Sequence, residues 1–90
     1  MKLALREKYE RLRELLVEAR QNAGLTQSEV ASELKQPQSF VSKYERGERR
    51  LDVVEFLEVA RIIGLDPIMT ITELGQAKSS GRKLHIKTLK

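Results

Sequence analysis

Signals that close one helix and open the next recur so often in this chain that only the first helix has room for more than about three turns. Gly24 follows Ala23 where a residue tolerant of positive φ ends a helix, and Thr26 stands three residues before Glu29, the spacing of a capping box. Pro37 disfavours a helical Gln36, and Gly47 stops the segment that follows. Asp52 and Glu55 repeat the capping-box pattern, Gly64 closes again, and Asp66-Pro67 reads as an N-cap and first helical residue. This punctuation predicts an all-α fold of five helices.

The first helix is marked by Leu5, Tyr9, Leu12, Leu16, Ala19 and Ala23, at steps of four, three, four, three and four that place one apolar stripe on one face. The second, from Thr26 to about Lys35, turns Val30, Ala31 and Leu34 inward. The third runs from about Gln38 to Arg46, with Val41 and Tyr44 on its inner face and Gln38, Ser39, Ser42 and Lys43 outward. The fourth runs to Ile63 and is expected to bury much of Val53, Phe56, Leu57, Ala60 and Ile63. The last, from Pro67 to about Leu74, carries Ile68, Thr70, Ile71 and Thr72, β-branched residues that suit extended chain as well as helix. Residues 1–74 therefore form the domain. Beyond them, Gln76 to Arg82 has no apolar periodicity, and Lys83 to Lys87 alternates as a strand would with nothing helical to pair with. Residues 75–90 are expected to be a basic tail, either disordered or paired with another chain.

Composition narrows the function classes. Ninety residues with 33% charged side chains leave room for one small core. Cysteine is absent and His85 is the only histidine, so neither a disulfide framework nor a zinc site is expected, and no cofactor is implied. The apolar runs are far shorter than the roughly 20 residues of a membrane span, and the first residues lack a signal-peptide core. A cytoplasmic protein without membrane contact is expected. Ser28, Ser32 and Ser42 have no base placed to activate them, while Glu7, Glu10, Glu14 and Glu18 form a solvated stripe beside Lys8, Arg11 and Arg13. Nothing here reads as an enzyme. The net charge of +4 is uneven: residues 1–74 carry 12 basic and 13 acidic side chains, whereas residues 75–90 carry five basic ones and no acid. Lys35, Lys43, Arg46, Arg49 and Arg50 make a further cluster, and basic patches of this kind suit either a polyanion or plain solvation.

Two short helices joined by a tight turn across residues 26–46, with the small Ala31 where they should cross, fit a helix-turn-helix or an ordinary helical hairpin. The segment Arg20-Gln21-Asn22-Ala23-Gly24-Leu25-Thr26-Gln27-Ser28-Glu29-Val30-Ala31, followed by Val41-Ser42-Lys43-Tyr44-Glu45-Arg46-Gly47, resembles the Xre/Cro family of phage-repressor-like DNA-binding domains. The likeness covers roughly residues 8–72 and implies a five-helix, lambda-repressor-like domain. Three positions depart from the commonest pattern: Lys35 stands where glycine is usual, Gln36 where an aliphatic is usual, and Pro37 where Ser or Thr usually caps. Such a turn gives up the left-handed freedom of glycine, while Pro37 restricts the chain by another route.

The resemblance implies that the third helix enters the major groove, with Gln38, Ser39 and Lys43 at base edges. The chemistry agrees: glutamine matches adenine N6 and N7, lysine donates to guanine O6 and N7, and serine adapts. Gln27, Ser42, Arg46, Arg49 and Arg50 are expected at phosphates, with Gln27 also bracing the recognition helix. Arg49 and Arg50 have a second reading, solvated or paired with Glu48. Phe40 either touches a thymine methyl or sugar at the groove rim or packs against Pro37 or the fourth helix. Arg20 and Glu45 match two family positions that form a structural ion pair.

The function this implies is sequence-specific binding of double-stranded DNA and transcriptional regulation, as a repressor. A homodimer on a pseudo-palindromic operator is expected, joined through the last helix (Ile68, Met69, Ile71, Leu74) or the tail (Leu84 to Leu89). The alternative is an antitoxin or anti-regulator that binds a protein partner and autoregulates its own operon.

Overall fold

A computed structural model describes residues 4–76. Five helices follow one another: α1 (Leu5–Asn22), α2 (Gln27–Leu34), α3 (Gln38–Glu45), α4 (Val53–Ile63) and α5 (Pro67–Gly75). The described residues contain no strand. The expectations for the tail, including an intermolecular strand, fall outside the described residues.

The helix ends lie where side chains can satisfy the backbone. Thr26 Oγ1 accepts from the Glu29 amide at 3.0 Å while Glu29 Oε1 accepts from the Thr26 amide at 2.9 Å. Asp52 and Glu55 make the same reciprocal pair at 2.7 and 2.9 Å. At α5, Asp66 Oδ1 accepts from the amides of Ile68 and Met69, and the hydroxyls of Thr70 and Thr72 donate to the carbonyls of Asp66 and Ile68. Capping by Asp66, with Pro67 at the first helical position, thus starts the β-branched segment as helix rather than strand, while the threonine hydroxyls find acceptors one turn back.

The core comprises Leu16, Val30, Ala31, Val41, Tyr44, Phe56, Val59, Ala60 and Ile63. It lies where α2 packs on α3 and α4 while α1 runs past α3, α4 and α5. Ala31 is 2% exposed, which lets the second helix of the turn approach the first closely. The inward face of α4 differs from expectation. Val53 and Leu57 are 69% and 44% exposed, and Val59, not among the expected residues, is completely buried. Phe56, Val59, Ala60 and Ile63 share one face, from which Leu57 is rotated about 100° away from Phe56. Val53 sits in the first turn, and Leu51 in the loop before it packs against the core instead. The stripe of α1 is likewise buried only in its middle: Leu16 is enclosed, Leu12 and Ala19 pack against the core, and Leu5, Tyr9 and Ala23 are exposed.

Candidate nucleic-acid interface

The turn between α2 and α3 solves the absence of glycine with strain. Lys35 adopts φ 59° and ψ 41°, the one left-handed non-glycine residue among those described. Its amide donates to the Ser32 carbonyl at 3.1 Å and the Gln36 amide donates to the Ala31 carbonyl at 2.9 Å, so the last carbonyls of α2 are satisfied despite the side chain. Pro37, at φ −67° and ψ 155°, then opens α3 with no side-chain cap.

Across α3 the division of faces is as the sequence predicts. Val41 and Tyr44 are 0% and 3% exposed. Gln38, Ser39 and Lys43 face solvent, and Ser42 is half-buried with its hydroxyl donating to the Ser39 carbonyl at 3.3 Å. Burial pushes the Tyr44 phenol up from its ordinary value, so it stays neutral behind the helix.

A chain of hydrogen bonds fixes α3 from behind. Arg20 meets Glu45 with two parallel bonds, Nε to Oε2 at 2.7 Å and Nη2 to Oε1 at 3.0 Å, and its Nη1 donates to the Leu25 carbonyl at 2.8 Å. The two side chains are only 12% and 6% exposed, and the hydrogen-bonded Glu45 carboxylate raises the Arg20 guanidinium above its ordinary value. Gln27 Nε2 donates to the same Glu45 Oε1 at 2.8 Å, and Gln38 Nε2 donates to Gln27 Oε1 at 3.0 Å. Four residues from three helices are therefore linked in series, ending at the first residue of α3. The sequence reading brought Arg20 and Glu45 together, and the structure adds Gln27 and Gln38 to them.

Arg13 belongs to this bracing, not to the solvated stripe where the sequence puts it. Its Nη1 donates to the Glu45 carbonyl at 3.2 Å, and its side chain lies where a Cβ on Gly47 would come within 3.1 Å. The available signal was that Arg13 and Arg20 stand two turns apart on one face of α1.

The loop arginines are engaged in ways the sequence did not reveal. Glu48 takes Arg46, at 2.9 and 3.0 Å, not Arg49 or Arg50. Arg49 meets Glu55 with two bonds of 3.0 Å and donates to the Arg50 carbonyl at 3.1 Å. These pairings hold both the Glu48 and Glu55 carboxyls below their ordinary value, the latter helped by the Asp52 amide. Among the described residues Arg50 has no carboxylate partner, and its guanidinium lies 4.0 Å above the Tyr9 ring. Phe40 packs edge-on to Tyr44 with centroids 5.8 Å apart, and the Arg49 guanidinium lies 4.4 Å from its centre. Tyr44 and Arg49 are thus among its neighbours, and Phe40 also packs against the core, as the packing alternative expects in part.

No cluster of three metal-ligating side chains occurs among the described residues, and none of their helices is long and apolar enough to cross a membrane. The arrangement is an exposed polar and cationic helix face on a rigid support, which is chemistry for recognition.

Comparison with known proteins places this geometry. No curated protein matches the chain. Among solved structures, an XRE-family like protein from Pseudomonas syringae pv. tomato str. DC3000 is similar, at 52% identity and a TM-score of 0.73, over 77% of this chain and 84% of that one. A family model described as Helix-turn-helix matches residues 16–68, which include the whole of α2, the strained turn and α3. The chain belongs to the Xre-like helix-turn-helix family of DNA-binding transcription regulators.

Proposed function

We propose that this protein is a repressor that reads a specific duplex operator with α3 in the major groove. Gln38, Ser39 and Lys43 meet base edges, and Gln27, Ser42, Arg46, Arg49 and Arg50 meet phosphates. The observation that carries this reading is the contrast between the two faces of α3: the inner one is buried and hydrogen-bonded to α1 and α2, and the outer one leaves an amide, a hydroxyl and an ammonium group exposed. Arg50, which among the described residues rests on an aromatic face and has no carboxylate partner, is the arginine most ready to meet a phosphate. Arg46 and Arg49 give two or three of their five N–H donors to protein acceptors and keep the rest for the backbone of DNA.

One half-site suits a domain of this size, so the protein acts as a homodimer on a pseudo-palindrome. Ile68, Met69 and Ile71 on α5 are 71%, 68% and 53% exposed and supply the apolar surface for that contact.

Selection from a random duplex library tests the reading. A single preferred, two-fold related motif is expected. Gln38→Ala or Lys43→Ala should then lose about 1–3 kcal/mol of discrimination at one or two positions. Arg50→Ala should weaken all duplexes alike and lower the salt slope by about one. Equal behaviour of all three variants on selected and random DNA would overturn the assignment of roles. Sedimentation completes the test: a dimer that Ile68→Asp dissociates is expected, and a monomer would turn the α5 face over to a protein partner, as in the antitoxin alternative.

A further inference from the structure

We infer that Glu45, which touches no DNA in this reading, decides which base Gln38 accepts, by fixing the polarity of two amides in series. The inference rests on Gln38 meeting a base edge, as proposed above.

Both Glu45 oxygens are engaged by the Arg20 guanidinium, at 2.7 and 3.0 Å, and a carboxylate only accepts hydrogen bonds. An amide brought against it must therefore present its NH2 group. Gln27 does so at 2.8 Å, which turns its carbonyl oxygen away from Glu45 and toward α3. That oxygen is again an acceptor, so Gln38 must in turn present its own NH2, as it does at 3.0 Å. Turning over either amide alone would set two oxygens against each other at hydrogen-bond distance. The order at Gln38 is thus dictated by a negative charge two links away.

The consequence is chemical. With one Nε2 hydrogen given to Gln27, Gln38 keeps one N–H donor and one carbonyl acceptor for a ligand. Adenine offers the matching pair in the major groove, an N7 acceptor and an N6 donor, whereas guanine offers two acceptors, N7 and O6. An amide free to turn over can reduce the mismatch. One whose order is fixed cannot, and it rejects guanine. Glu45 is a positioning residue for base choice as well as half of an ion pair.

The test compares duplexes that carry adenine or guanine at the position assigned to Gln38 in the motif selected by the wild-type protein. The wild type should prefer adenine by roughly 5- to 150-fold, the span of one bidentate contact. Glu45→Gln keeps an oxygen for Arg20 but also offers an NH2, so Gln27 can bind either way and the ratio should fall toward parity. Gln27→Leu cuts the series while leaving Arg20 and Glu45 paired, and should give the same fall, which keeps the test decisive if Glu45→Gln folds poorly. The preference at the position assigned to Lys43 should stay unchanged in both, a selectivity that mere loosening of the fold would not produce. Retention of the wild-type ratio by Gln27→Leu, while Gln38→Ala loses it, would overturn the inference and leave the groove reading standing. A ratio that Gln38→Ala does not alter would overturn both.

Discussion

Two ion pairs start from neighbouring residues at the end of α3 and differ in almost everything except chemistry. Glu45 points inward, where its bond to Arg20 leaves the pair 12% and 6% exposed; Arg46 points outward, where its bond to Glu48 leaves 56% and 54%. The inner pair spans 25 residues of sequence and ties α1 to α3, whereas the outer one spans two and ties a loop to itself. Burial makes an abandoned partner expensive, and exposure lets water replace it. The same arginine–glutamate contact is thus a structural clamp on one side of the helix and a reserve of exchangeable N–H donors on the other.

The sharpest way to break this comparison is Arg20→Ala. It should cost about 3 kcal/mol in chemical denaturation, the lower end for a buried pair because Gln27 remains with the carboxylate. A cost equal to that of an exposed pair would abolish the distinction. Next is Gly47→Ala, set against Gly64→Ala. Both glycines have positive φ, 81° and 75°, so each change should cost about 1–2 kcal/mol. Only at Gly47 does the new Cβ also meet Arg13, at 3.1 Å, so its Tm should fall further. Equal shifts would remove Arg13 from the clamp. Lys35→Gly should do the opposite and stabilise by about 0.5–1 kcal/mol, the left-handed strain relieved less the added freedom of the unfolded chain. Calorimetry showing no rise in Tm would mean that the turn is not strained.

Smaller still is Arg46→Ala, expected to leave the denaturation midpoint almost where it was, because water replaces the exposed pair, while weakening DNA binding at low salt. The least effect is read from pH. The folded Glu55 carboxyl lies below its ordinary value near 4.5, so its contribution is complete above that value and is lost as pH falls through the lower, folded one. Arg49→Ala should flatten this acid limb in denaturation midpoints measured from neutral pH downward. An unchanged limb would show that the Arg49–Glu55 contact does not persist in solution.

What was legible in the sequence follows the range of the forces involved. Thr26 with Glu29, Asp52 with Glu55, and Asp66-Pro67 place helix starts because capping partners are three residues apart or fewer, and such geometry needs no tertiary information. Periodicity found the inner face of α3 through Val41 and Tyr44. It misjudged α4, choosing Val53 and Leu57 over Val59, because apolar residues stand on several sides of that helix and only packing selects among them. The Arg20–Glu45 pair came from likeness to a family. Arg13, and the partners of Arg46 and Arg49, had no such guide: their bonds depend on the path of the loop after Gly47, which no local spacing dictates.

The contact between Arg50 and Tyr9 carries an experimental benefit. The protein has two tyrosines and no tryptophan, and Tyr44 is sealed in the core. Emission excited in the near ultraviolet therefore has one solvent-facing source, and a guanidinium rests on it. On the proposal that this cation leaves the ring for a phosphate, the phenol signal should change with no label attached, giving the domain an optical gauge of its own docking.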